Sequence, residues 1–336
     1  MKRLLFIVFP LLFAACTLIN DDLSVCGEEL VVDYQVQLHT DLNMQLQADL
    51  SLEAEAQVRS SIEDWLKPVF TDKAHDVDLR FYSTENDEQK YRINEEINDN
   101  RSSYIIHLPH HNYVHLALAN IMDNNELRLL NGEHSETMEL RLKNSMLASS
   151  LNTGVFTARL PMEVNDTTTH FEVHLSMMVA AVVLVVDTTR CAALHSLNAT
   201  MKGSATGFSV RDSIYYYDAS PVFVMEHIAM KDDSPSAPAS RRTACSEPAN
   251  PYRCTGLVCL PTEEGKTWSV DAVATLQDNK HTTTTLTIDD PLLAGSLRVL
   301  SVRMDSTGAL RPKEGQQVGV SVQLDWKEGG EHEIDL

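Results

Sequence analysis

The most specific chemistry in this chain sits at its head. Lys2 and Arg3 are followed by an apolar run over residues 4–13, then by Ala14, Ala15 and Cys16. A basic start, an apolar segment and small residues before a cleavage point make a secretory signal. A cysteine directly after the two alanines adds a thiol for a diacylglycerol group, so Cys16 is the expected lipidation site and the new N-terminus. Phe13 stands three positions before it, where leucine is commonest in such signals. A membrane-spanning helix fits worse, because it needs about 20 apolar residues. An ordinary cleaved secretory peptide leaves the cysteine as a coincidence.

With Cys16 lipidated, five cysteines remain: Cys26, Cys191, Cys245, Cys254 and Cys259. An odd number leaves at least one thiol free, or paired between chains, if the others form disulfides. An oxidising envelope favours a disulfide within residues 245–259, and the cysteines there lack both Cys-x-x-Cys spacing and a nearby histidine for a structural metal. Which two pair stays open. Cys26 is expected to order the start of the first domain through a disulfide with an unnamed partner.

The densest set of metal-ligand types is His107, His110, His111 and His115, but no carboxylate is interleaved to complete a site. Exposed sheet and turn positions are the expectation, with no metal. Gly203-Ser204-Ala205-Thr206-Gly207 lacks the Lys and Ser/Thr of a phosphate loop and reads as a flexible turn. Tyr215, Tyr216 and Tyr217 lie on an alternating strand, which divides them between core and surface. Asp166-Thr167-Thr168, Asp187-Thr188-Thr189 and Asp212-Ser213-Ile214 have the form of O-glycosylated sequences in secreted Bacteroidetes proteins, although Asp-Thr is also ordinary in turns. No nucleophile elbow, zinc-protease helix or dinucleotide glycine pattern is present. No catalytic residue, and no cofactor beyond the covalent lipid, is expected.

The elements that must carry these groups are mainly strands. The chain has 336 residues, enough for two domains. With 27 basic and 48 acidic residues it repels nucleic acid and anionic headgroups, so membrane attachment falls to the lipid. Residues 30–38 alternate between apolar and polar, as a half-buried strand does. Residues 51–66 place Ala54, Val58, Ile62, Trp65 and Leu66 at helical spacing before Pro68. Extended patterns return at 77–81, 104–108, 113–118 and 155–160. An apolar run over 177–186 suits a strand covered on both faces. Beyond it, 209–217, 222–228, 255–260, 268–276 and 282–288 read as strands, with a hairpin turn at 278–280. Residues 232–251 form a long exposed loop. Val318, Val320, Val322, Leu324 and Trp326 alternate strictly with polar or small residues, the cleanest amphipathic strand in the chain. Strands in runs with a single helix predict antiparallel β-sandwiches. The expected division is signal peptide 1–15, tether 16–25, a first β-sandwich over 26–166 and a second over 167–336.

From Cys16 through Asn20, Asp21 and Asp22 to Cys26, the mature start resembles the FimB-type fimbrium-anchoring subunit family of Bacteroidales lipoproteins. Residues 30–38, Thr40-Asp41-Leu42 and the strand-turn-strand segment 105–118 with Pro109 and Tyr113 are similar to that family as well. His111 departs from it where a glycine is frequent, as Phe13 departs in the signal. The resemblance implies two transthyretin-like sandwich domains in series, without enzymatic activity, lipid-anchored in the outer membrane at the cell surface. It implies shaft pilin subunits as partners, a place at the base of a fimbrium and an influence on its length. Shaft pilins of this system exchange strands between subunits, which makes the 318–326 strand a candidate donor; the other reading is that it completes its own sheet. The functional alternative is a surface lipoprotein adhesin that binds a glycan or host protein.

Overall fold

The computed structural model describes residues 30–39, 56–70, 74–97, 103–168, 170–230, 250–312 and 319–325, with backbone alone for 30–39 and 319–325. Within them the chain is almost wholly β and forms tandem β-sandwich units, with a single α-helix among the described residues.

The first unit contains β1 (Leu30–His39), α1 (Ala56–Leu66), β2 (Asp76–Ser83), β3 (Gln89–Glu96), β4 (Ser103–Leu108) and β5 (His111–Ala119). After an excursion it closes with β9 (Phe156–Val164) and β10 (His170–Met177). Its strands follow one another in space as β3-β2-β5-β9-β10-β1-β4. In α1 the four-residue spacing of Val58, Ile62 and Leu66 puts all three on one fully buried stripe. Pro68 follows directly, where the helix has already turned off. The predicted start of this helix, including Ala54, lies outside the described residues. In β4, Tyr104, Ile106 and Leu108 are buried while Ser103, Ile105 and His107 are exposed, the two-residue period of a strand with one wet face.

The excursion between β5 and β9 holds three short strands, β6 (Leu127–Leu130), β7 (Glu139–Leu142) and β8 (Leu147–Ala148). The second unit begins with β11 (Ala180–Asp187), β12 (Leu194–Lys202), β13 (Gly207–Ser209), β14 (Ile214–Tyr216), β15 (Val222–Val224) and β16 (Glu226–Ile228). It continues through β17 (Tyr252–Cys259), β18 (Trp268–Leu276), β19 (His281–Ile288), β20 (Leu297–Met304), β21 (Leu310–Pro312) and β22 (Gly319–Asp325). One of its sheets runs β16-β17-β11-β20-β21 and the other β22-β19-β18-β12-β15-β8. β11 is buried from Ala180 through Val186 between β17 and β20, as its unbroken apolar sequence predicts.

The place where the chain changes sheets differs from the sequence expectation. The polar residues at 165–168 lie in the turn after β9, and β10 still belongs to the first sheet. The passage to the second unit falls at Met178-Val179, so the division lies more than ten residues beyond the expected 166/167. The apolar run read over 177–186 spans the end of β10 and the start of β11, so the change of sheet leaves no polar mark in the sequence.

The units are also bonded to each other. β7 pairs with β13, giving a four-stranded sheet β14-β13-β7-β6 drawn from both sides of the division. β8 runs parallel to β15. Trp65 of α1 donates from Nε1 to Glu226 Oε1 at 2.7 Å. Its ring lies over Gly256, where a Cβ would come within 2.5 Å of it. Arg141 pairs with Glu139 at 3.0 Å and Asp218 at 2.8 Å and stacks over the Tyr216 ring. The segment 203–207, expected as a flexible turn, belongs to this junction: Ser204, Ala205 and Thr206 are buried, and Ser204 Oγ donates to Leu260 O at 2.6 Å.

Candidate functional site: an open cleft between two strands

The two units repeat one topology. In the first, β1 lies between β10, parallel to it, and β4, antiparallel. In the second, β11 lies between β20, parallel, and β17, antiparallel. The facing layer runs β9-β5-β2-β3 in the first unit and β19-β18-β12-β15 in the second, antiparallel throughout. One position breaks the match. In the second unit, β21 pairs with β20 and β22 pairs with β19, so the chain's C-terminal strands fill the space between those two layers. In the first unit nothing described occupies the equivalent place.

There β9 and β10 are joined by only two residue pairs, Ser176 with Thr157 and Met177 with Phe156. Past those pairs a cleft of about 600 Å³ opens, bordered by residues 157–160 of β9 and by Glu172, His174 and Ser176 of β10. Core-facing side chains show the effect of the gap. On β9, Phe156, Met162 and Val164 are buried, whereas Ala158 and Leu160 on the same face are only half-buried. Phe171 on β10 is half-buried as well, next to buried Val173 and Leu175. Covering a Leu side chain completely is worth on the order of 1 kcal/mol or more, so among the described residues this part of the core is unfinished. Its rim is polar: Glu172 and His174 approach to 3.7 Å, and Arg159 is exposed.

The inner end of the cleft is walled by the second unit. Phe208 and Tyr215, on facing strands of the β13–β14 hairpin, pack with ring centroids 4.8 Å apart. Tyr215 donates its hydroxyl to Met178 O at 2.9 Å, fixing the hairpin against the end of β10. Burial pushes the Tyr215 phenol well above its usual range, so it stays a neutral donor. Ser213 takes a left-handed φ of 56° at the hairpin tip, which lets the chain reverse within a few residues. The sequence placed Tyr215 on a strand but as part of one continuous element over 209–217; the hairpin was hidden because its turn, Val210 to Ser213, contains no glycine or proline.

Cys16, Cys26 and Cys245 lie outside the described residues, as do Val318 and Trp326. Cys254 and Cys259 are buried with free thiols, and so is Cys191. Five residues apart on β17, the first two leave opposite faces of the sheet and do not bond to each other. Burial pushes both thiols up to about 12, which keeps them protonated and unreactive. Val320, Val322 and Leu324 lie on β22, which pairs with β19 over seven residue pairs, from Thr287 with Gly319 to His281 with Asp325. The proposed donor strand therefore stands at the edge of its own sheet in this structure.

The four histidines are not brought together. His107 is exposed on β4, His110 meets Asp166 at 3.0 Å, and His111 lies 2.7 Å from Ser83 Oγ. His115, expected at an exposed position, is fully buried: Nδ1 donates to Arg80 O at 2.8 Å and the ring stacks on Phe81. No group of three or more His, Cys, Asp or Glu that could hold a metal occurs among the described residues. The Asp-Thr-Thr sequences are turns: Thr189 and Thr167 hydroxyls each bond the side chain two residues earlier.

No protein-family model and no curated sequence matches the chain. Solved structures do. A candidate adhesin from Bacteroides ovatus superposes with a TM-score of 0.53 at 9% identity, covering 90% of this chain and 96% of the other. A second, from Bacteroides thetaiotaomicron, gives 0.51 at 10% identity over 86% and 95% of the two chains. What is shared is the fold. The fimbrial anchor protein Mfa2 from Porphyromonas gingivalis gives 0.49 at 14% identity, over 88% of this chain and 99% of that one. No described helix is long and apolar enough to cross a membrane.

Proposed function

We propose that this protein is a lipid-tethered anchoring subunit of a fimbrium, held in the outer membrane through Cys16, and that the β9–β10 cleft receives a β-strand from the first shaft subunit. The observation that carries this reading is the unequal filling of two equivalent places. In the second unit the chain supplies its own strands between the two layers; in the first, no described residue fills the same place, and Ala158 and Leu160 in the cleft are half-buried. An incoming strand with alternating apolar residues would complete that core on one side while its backbone pairs with the open edges. The proteins sharing the fold are described as adhesins, which supports a place at the cell surface. The acidic composition leaves the lipid, not a basic patch, to hold the protein to the membrane.

Changing Cys16→Ala tests the tether. Cells with this variant are expected to release fimbriae into the medium, visible by electron microscopy of cells and of the cleared supernatant. Fimbriae that stay firmly on such cells would defeat the anchoring role.

A further inference from the structure

We propose that the β13–β14 hairpin is the end wall of the cleft and selects a donor strand that carries an aromatic side chain at its C-terminal end. The inference rests on the reading of the cleft as a strand acceptor and adds the direction and the end specificity of its occupant.

Direction follows from the repeated topology. β22 runs antiparallel to β19, with Asp325 at its C-terminal end opposite His281 at the start of that strand. The equivalent of β19 in the first unit is β9. A strand seated likewise on β9 therefore points its C-terminal end toward Phe156 and Thr157, where the β9–β10 pairs close the cleft. That closed end is where Phe208, Ser213 and Tyr215 of the hairpin join the lining.

End specificity follows from what stands there. Phe208 and Tyr215 form a tilted aromatic pair, and Met177 and Met178 line the same end. An aromatic ring arriving at this wall meets aromatic and methionine side chains, both favourable classes of partner. The open rim farther along carries Arg159, Glu172 and His174, with no aromatic pair and no methionine among them. The wall is held in place by the Tyr215 bond to Met178 O, and so presents a fixed surface to a strand that enters.

The chain's own sequence over residues 318–326 supplies a suitable probe: strictly alternating apolar positions ending in Trp326. Titration calorimetry of the full mature chain with this synthetic peptide, and with the same peptide carrying serine in place of the tryptophan, reads the end preference. The tryptophan peptide is expected to bind about tenfold tighter. In Tyr215→Leu, with its fold checked by circular dichroism, that ratio is expected to fall to about twofold or less. Ala158→Trp, which fills the cleft from β9, is expected to remove binding of both peptides. Equal affinities for the two peptides would overturn the proposed end specificity while leaving the strand-accepting cleft standing. Binding of neither peptide to the unmodified chain would overturn both. Binding that survives Ala158→Trp would place the peptide elsewhere and overturn the assignment.

Discussion

His115 lies flat against Phe81, ring centroids 4.2 Å apart, with no water-facing edge. Burial pushes its ring down to about 4, against an ordinary value of 6.5. The unfolded chain takes up a proton at this residue below about pH 6.5, while the folded chain does not until about pH 4. Stability from this group is therefore complete above pH 6.5 and is lost as pH falls through that window, by about 3 kcal/mol in all. Chemical denaturation of the unmodified chain and of His115→Gln at pH 7 and pH 5 is expected to show a smaller pH slope in the variant. Gly256 makes a second residue-scale test. A Cβ there would fall 2.5 Å from the Trp65 ring, so Gly256→Val must displace the ring and break its bond to Glu226. A loss of about 1–3 kcal/mol in the same denaturation assay is expected.

At the scale of elements, the cleft predicts a pattern of hydrogen exchange. β11, paired along both edges and buried, is expected to exchange slowest. Residues 158–164 and 170–175, which border the gap, are expected to exchange much faster than β11 and to slow when the 318–326 peptide binds. Which elements were legible in the sequence follows from the same geometry. β18 and β19 were read to within a residue because they are half-buried, their inward positions apolar or threonine and their outward ones mostly polar. β3 was missed because it is a wet edge strand with an acidic C-terminal end; β12 was missed although Leu197, Ala199 and Met201 alternate with polar residues, its pattern being interrupted at the Leu194–Ser196 irregularity. β20 escaped as well, since Leu300 and Ser301 break its alternation while being buried between β11 and β21. Residues 222–228 read as one strand, yet they split at Met225 between two sheets. The cleft itself was not legible at all. It arises where two neighbouring strands stop pairing, beyond Ser176 with Thr157, and neither strand's own pattern records that.

At the scale of the molecule, the two sandwiches share a sheet, a parallel strand pair and the Trp65 contact, so they are expected to unfold in one cooperative step. Calorimetry of the unmodified chain should give a single transition whose calorimetric and van't Hoff enthalpies agree, and Gly256→Val should broaden or divide it. The same junction sets the β13–β14 hairpin against the cleft of the first unit, where the shaft is proposed to attach. That proposal, attachment of the shaft through the β9–β10 cleft, is tested most directly in cells expressing Ala158→Trp as their only copy. Membrane fractionation should find the variant still lipid-anchored, while electron microscopy finds fimbriae free in the medium instead of on the surface. Fimbriae held on the cells as firmly as by the unmodified protein would contradict it.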